Sequence, residues 1–224
     1  MTKKYLIFDA GPLIAFTMNG LLPTLENLKK EFQGEFIITP AVKNEVVDYP
    51  IKTKKYELEG LKVKDLIDRG ILKMSSEFVP NNKLQEKTQE ILKLGSTLFV
   101  TPLEKIRLMQ EGEASSLAFA KLCNCENLIV IDERTTRLIV EAPENLKEIM
   151  ESKLHTKIDF NRKNLDFFKD FRFIRSAELV YIAYKKDLFN LKKDKQLLDA
   201  LLYSLKFKGT AISSKEIEEI KSLV

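Results

Sequence analysis

Two runs of consecutive apolar residues constrain this chain most. Leu6-Ile7-Phe8 and Leu128-Ile129-Val130-Ile131 are strand-sized, and each ends directly in an aspartate, Asp9 and Asp132. A strand that is apolar at every position, rather than at alternate ones, suits a sheet covered on both faces, as a parallel sheet between two helical layers is. In open α/β sheets the ligand crevice lies beyond the carboxyl ends of the strands. Two carboxylates at such ends face one pocket if their strands are neighbours.

The remaining segments fill in an alternation of strands and helices. Gly11-Pro12 opens a short helix over Leu13, Ile14 and Phe16 that stops near Asn19-Gly20, and a second helix runs from about Pro23 to Phe32. A strand over Glu35 to Thr39 leads into Pro40, suited to a first helical position with Thr39 as N-cap. The helix so started carries Lys43, Glu45 and Asp48 and is predicted to end at Pro50. Residues 53 to 69 have a helical period closed by Gly70, Ile71 to Met74 reads as a strand, and a polar helix runs from Asn81 to Leu94. Thr101-Pro102-Leu103-Glu104 is a capping box that predicts a helix start, with Gly112 separating that helix from another beginning at Glu113. Residues 141 to 170 are polar, with a helical and no strand signal. A strand at Phe171 to Ile174 and helices at about 176–185, 193–207 and after Ser213 follow. The predicted fold class is α/β: a three-layer, parallel sheet flanked by helices, in a single domain over residues 1–224 with 141–170 as a helical insertion.

Composition excludes several classes. With 44% hydrophobic and 31% charged residues over 224 positions, the chain can bury a full core and is neither disordered nor built for a bilayer. The N-terminus enters the first strand without a cleavable apolar region, so a cytoplasmic location is expected and no membrane partner. Cys123 and Cys125 are too close for a structural disulfide, and with one histidine, His155, they cannot complete a zinc site. They read as helix-end or core residues. The net charge of +4 is far short of a basic stripe.

The chemistry rests on carboxylates. Glu113 stands in the first turn of a helix preceding the second apolar strand, and Glu45 lies within about two turns of the end of the strand before it. Asp9, Glu45, Glu113 and Asp132 therefore come within reach of one sheet edge. Four carboxylates cannot share a pocket fully ionised without compensation, by raised pKa or by a cation. An oxygen-only donor set suits Mg²⁺ or Mn²⁺ rather than zinc, and such ions promote hydrolysis at phosphorus.

Four segments in order resemble a family. Ile7-Phe8-Asp9-Ala10-Gly11-Pro12-Leu13-Ile14, Thr39-Pro40-Ala41-Val42-Lys43-Asn44-Glu45-Val46, Glu111-Gly112-Glu113-Ala114-Ser115-Ser116-Leu117-Ala118 and Ile129-Val130-Ile131-Asp132-Glu133-Arg134-Thr135-Thr136-Arg137 are similar to the four acidic motifs of PIN-domain proteins, the ribonuclease fold that includes VapC-like toxins. The resemblance spans residues 4 to 140, and residues 171 to 220 look like the closing elements of an archaeal-type branch. It implies a Rossmann-like parallel sheet, Mg²⁺ or Mn²⁺ held by Asp9, Glu45, Glu113 and Asp132, and RNA as substrate. It further implies a homodimer and, for a toxin, an antitoxin protein. Glu133 is an auxiliary acid on this reading, Thr135 orients a water at the metal, and Arg134 and Arg137 contact phosphate. The chain departs from the pattern at Gly11, where many members carry Ser or Thr, in its glutamate at the third acidic position, and in extra sequence near 50–100 and 141–170. The rival readings are a catalytically weak PIN-fold RNA-binding or scaffold protein and a metal-dependent phosphatase. The haloacid-dehalogenase type of phosphatase needs Asp-x-Asp, which Asp9-Ala10-Gly11 does not supply.

Plainer roles compete with each of these. Asp9 and Asp132 could cap the helices that follow them, and Glu113 could complement a helix dipole. The run Lys52-Thr53-Lys54-Lys55 reads as a solvated helix start in preference to an RNA contact. The aromatic stretch from Phe167 to Phe173 suits RNA stacking or a core strand equally.

Overall fold

The computed structural model describes residues 3–100, 106–123 and 125–223. Strands β1 (Lys4–Phe8), β2 (Glu35–Ile38) and β3 (Leu72–Met74) are joined by helical crossovers, which parallel pairing requires. Helices α1 (Ala10–Met18) and α2 (Leu22–Glu31) make the first crossover. The second contains α3 (Pro40–Lys43), a π-helical turn (Asn44–Asp48), α4 (Tyr49–Ile51) and α5 (Glu57–Asp68). The chain then passes through α6 (Asn81–Ser96), β4 (Phe99–Val100) and α7 (Glu111–Leu122) back to the sheet as β5 (Glu126–Val130). After α8 (Arg134–Glu141), α9 (Pro143–Leu154), β6 (Asp159–Phe160) and α10 (Arg162–Phe168), it adds β7 (Phe173–Ile174). Helices α11 (Ser176–Lys185), α12 (Lys195–Phe207) and α13 (Ser214–Lys221) close it.

The main sheet has the order β3-β2-β1-β5-β7, with every neighbouring pair parallel. The chain progresses outward from β1 to β3 and then reverses, placing β5 against the other side of β1. Such a reversal opens a crevice at the carboxyl ends of the two diverging strands. β1 and β5 pair along their full length, from Lys4 opposite Glu126 to Phe8 opposite Val130.

Side-chain alternation along the strands splits the interior into two cores. Leu6, Phe8, Phe36, Ile38 and Val130 point to a core closed by α1, α2, α5, α11 and α12, while Tyr5, Ile7, Ile37 and Ile129 point to one closed by α6 and α7. This is a three-layer α/β arrangement, as the doubly apolar strands predicted. Among the described residues, no helix is long and apolar enough to cross a membrane.

Several local expectations are corrected. Residues 106–110 are not helical and α7 begins at Glu111, so Gly112 lies inside its first turn; the capping box at Thr101–Glu104 lies outside the described residues. Pro50 does not end the helix after β2. A π turn precedes it, and helical backbone continues to Ile51; the widened turn accommodates a residue with no N–H to donate. Segment 141–170 is helical but also contains β6, which pairs antiparallel with β4, and its Leu146, Ile158 and Phe168 enter the second core. The Phe-rich stretch is core, with Phe168 and Phe171 buried. Cys123 ends α7, and both cysteines are free and partly buried.

Gly34, just before β2, is a close-approach position: a Cβ there would lie 2.3 Å from the carbonyl oxygen of Lys4 and 2.5 Å from the Phe32 ring. Backbone of the central strand cannot move aside cheaply. Gly34→Ala is expected to destabilise by about 2 kcal/mol, lowering Tm by roughly 4–8 °C for a chain of this size. An unchanged calorimetric Tm would contradict this packing.

Candidate functional site

Asp9 follows β1 in extended backbone and makes no side-chain hydrogen bond to cap α1. Its amide N–H instead donates to the Val130 carbonyl at 3.0 Å, continuing the β1–β5 ladder by one residue. Ile131 bonds across to Ile174 at 3.0 Å, and this tie positions Asp132 at the end of the same strand pair. Asp132 does not cap α8. Its Oδ1 accepts the Ser176 N–H at 2.9 Å and the Ser176 hydroxyl at 3.0 Å, so it caps α11 from across the sheet, while Oδ2 is buried with no hydrogen-bond partner.

Glu113 stands in the first turn of α7. Its Oε2 accepts the Gln110 N–H at 3.2 Å, the helix-start role, and also the Thr136 hydroxyl at 2.7 Å. Glu133 is the N-cap of α8, with Oε2 accepting the Thr136 N–H at 2.6 Å. Glu45 reaches the site from the π turn after β2. The helix that leads there starts where predicted: Thr39 Oγ1 accepts the Val42 N–H at 3.3 Å and lies 2.6 Å from Ser115 Oγ, tying the turn to α7.

Gly112 lets these elements meet. A Cβ on it would lie 2.6 Å from Glu45 Oε1 and 3.5 Å from Asp9 Oδ1. Acids following two different strands thus crowd against the bare first turn of α7, whose amide end favours negative charge.

Asp9, Glu45, Glu113, Asp132 and Glu133 line one cavity of about 430 Å³, with Arg134 its one basic lining residue among those described. Gly209 and Ala211, from the connection between α12 and α13, close its other side. Among the described residues, no three histidine, cysteine or acidic side chains are placed to hold a metal ion as they stand. Of the sequence-nominated residues, Thr135 and Arg137 do not line the cavity. The hydroxyl that touches an acid is that of Thr136. Arg137 is buried and pairs with Glu141 at 3.1 Å. Sequence reasoning missed Gly112, Thr136, Ser176 and the 209–211 segment; only the glycine between Glu111 and Glu113 offered a signal.

Crowding and burial raise the pKa of all four principal acids. Asp9 moves furthest, from its ordinary 3.8 to about 7, through burial first and then the nearby Glu113; the amides of Ala10 and Gly11 offset part of this. Glu113 is raised by burial against the opposing hydrogen bond from Thr136. Glu45 is raised by burial and by Glu111, and the Gly112 amide acts the other way. Asp132 is raised by burial, with Ser176, Arg137 and Arg175 holding it down.

No family model matches the chain, and neither a curated protein nor a solved structure matches it.

A buried acid whose pKa rises on folding imposes no penalty while it is protonated in both states. Its stability contribution is lost as pH climbs from the unfolded value through the folded one, here between about 4 and 7. Without divalent ions, Asp9→Asn is therefore expected to match the parent Tm near pH 4. At pH 8 it should exceed it by several degrees, because the variant has no charge to bury at that position. Equal or lower Tm at both pH values would argue against converging carboxylates.

Proposed function

We propose that this chain is a divalent-metal-dependent ribonuclease of the PIN-domain type. The observation that carries the reading is the convergence of Asp9, Glu45, Glu113, Asp132 and Glu133 on one cavity at the sheet reversal, against a single lining arginine. Structural ion pairs would bring lysines or arginines to such acids; these residues instead stay crowded, with raised pKa values.

The donor set fits Mg²⁺ or Mn²⁺. All donors are hard carboxylate oxygens, and the buried Oδ2 of Asp132 has no hydrogen-bond partner among the described residues. Mg²⁺ keeps several waters and needs only one or two protein carboxylates besides substrate phosphate, so three acids need not meet at one point. Asp9, Glu45, Glu113 and Asp132 are the acids from which one or two would hold the ion. Bound there, it supplies Lewis acidity and positive charge at the phosphodiester. Ser176 fixes the orientation of Asp132, and Thr136 that of Glu113. Glu133 commits one oxygen to the α8 cap and leaves the other for an auxiliary role. Arg134 stands exposed at the cavity, where its fork of N–H donors suits a phosphate. The α/β layers and the reversal beside β1 are compatible with the PIN-type reading, and the order of the four motifs is what favours it over a generic α/β hydrolase.

A second reading, an RNA-binding or scaffold protein with weak metal affinity, draws on the absence of a hydroxyl at Gly11 and of three acids already placed for one ion.

The deciding experiment is cleavage of end-labelled single-stranded RNA by the purified protein with Mn²⁺ or Mg²⁺. Activity should vanish in EDTA and fall about a hundredfold or more in Asp9→Asn, ~2.7 kcal/mol at 1.36 kcal/mol per decade. Metal-dependent binding without cleavage would select the scaffold; hydrolysis of small phosphomonoesters but not RNA would sink both.

Gly112→Ala separates site geometry from folding. Only the movable end of Glu45 stands within 3 Å of the added Cβ, and alanine favours a helix by up to about 1 kcal/mol. Tm should therefore hold or rise, while Mn²⁺ affinity measured by calorimetric titration falls several-fold. A large Tm loss would place Gly112 in packing rather than in the site.

A further inference from the structure

A second cavity, of about 380 Å³, adjoins the acidic one, and Ile14 and Glu45 line both. Its character is different. Met18, Tyr49, Tyr56 and Lys208 contribute to its walls, and Glu59 is its second acid. Tyr49 is 65% exposed and Tyr56 38%, beside Ile14 at 44% and Met18 at 40%. Four large apolar side chains left open around one groove are an unusual feature for a soluble surface and mark a contact site.

Position and charge narrow what fits there. The π turn that carries Glu45 runs directly into Tyr49, so acid and ring sit on one continuous helical element. Lys208 lines the groove, and Lys55 Nζ lies 5.1 Å from the centre of the Tyr56 ring. Lys52 stands exposed on the same short connection and Lys54 pairs there with Glu57 at 2.8 Å; the sequence suggested a solvated helix start in preference to an RNA contact. The occupant must offer flat faces to tyrosine rings and negative charge to lysines, and must extend from this groove into the carboxylate cavity. Unpaired RNA has these properties: bases stack on aromatic rings while phosphates meet the basic margin. A duplex keeps its bases stacked on one another, and an aliphatic peptide would leave the lysines without a role.

We propose that this groove is a stacking subsite for single-stranded RNA. Tyr49, and the face of Tyr56 that Lys55 leaves open, take unpaired bases next to the phosphate held at the acidic cavity, and Lys208 faces an adjoining phosphate. The subsite rests on the ribonuclease reading and adds to it where the strand beside the cleaved phosphate lies.

The test uses the full chain, with Tyr49→Ala, Tyr56→Ala and the corresponding Phe variants. One arm measures cleavage of oligouridylate RNA; the other measures its affinity by fluorescence anisotropy in the cleavage-deficient Asp9→Asn background. Each alanine variant is expected to raise KM and Kd about tenfold, with kcat little changed, and phenylalanine should restore both. RNA carrying 5-bromouridine should crosslink under ultraviolet light to peptides containing Tyr49 or Tyr56. Cleavage by the parent with KM, Kd and crosslinks indifferent to both tyrosines would overturn the subsite and leave the nuclease standing. Absence of RNA cleavage and binding in the parent would overturn the nuclease and the subsite together. Sedimentation showing that the parent self-associates through these tyrosines, with RNA affinity unchanged in the alanine variants, would assign the groove to a second copy instead.

Discussion

Everything at the acidic cavity depends on the parallel register between β1 and β5. The pairing is five residues long, from Lys4 and Glu126 to Phe8 and Val130, and it sits at the middle of the sheet with a core on each face. Because Leu6 and Phe8 point into one core and Tyr5 and Ile7 into the other, a slip of one residue would exchange both sets. The ladder does not stop at the last strand residue. The Asp9 amide bonds to Val130, and that of Ile131 to Ile174, so the backbone leading to each aspartate is tied to a neighbouring strand. The carboxylates are positioned by sheet hydrogen bonds, the stiffest part of the molecule, rather than by the helices that follow them.

That rigidity is what makes the electrostatics costly. A flexible loop would let Asp9 and Glu113 separate or turn to water; here burial and mutual repulsion raise their pKa values instead. Relief is unequally distributed. Asp132 has the Ser176 amide and hydroxyl, and the charges of Arg137 and Arg175 act on it. Asp9 has only the amides of Ala10 and Gly11 set against burial and Glu113, and it reaches about 7. A divalent ion entering the cavity would therefore gain most from Asp9. Binding to the folded state alone would return the stability that crowding removes. Arg175 also pairs with Glu178 and with Glu216, linking the Asp132 side of the site to the first turn of α13.

The parts of this structure legible in the sequence are those written in local pattern. Continuous apolar runs identified β1 and the end of β5; Thr39-Pro40 marked a helix start; Ser213 and Glu216 form the capping box expected of them. Asp9 and Asp132 could be placed because strand ends define the crevice. What was not legible depends on partners distant in the chain. Ser176 lies 44 residues from the aspartate it holds, and the Thr136 hydroxyl reaches a glutamate 23 residues away. Choosing Thr136 over its neighbour Thr135 required the phase of α8 relative to α7, which no periodicity reveals. The lining contributed by Gly209 and Ala211 has the same origin: the connection between α12 and α13 returns to the site from the far end of the chain.

Two glycines at the site show how differently the same residue can matter. Gly112 is needed for space, since any side chain there would meet the carboxylate of Glu45 at 2.6 Å. Gly11 is not. A Cβ at that position would find Asp9 Oδ2 at 3.8 Å and the Asp132 Cβ at 3.9 Å, ordinary contacts that leave room for a serine. Space does not exclude the hydroxyl that the resemblance would place at position 11, so its absence is not steric. In place of a side-chain donor, the amides of Ala10 and Gly11 oppose the rise in its pKa. Amides are fixed by the α1 backbone and cannot rotate away or accept a bond in return. They offset only part of the rise that burial and Glu113 impose, so the proton affinity of Asp9 stays high.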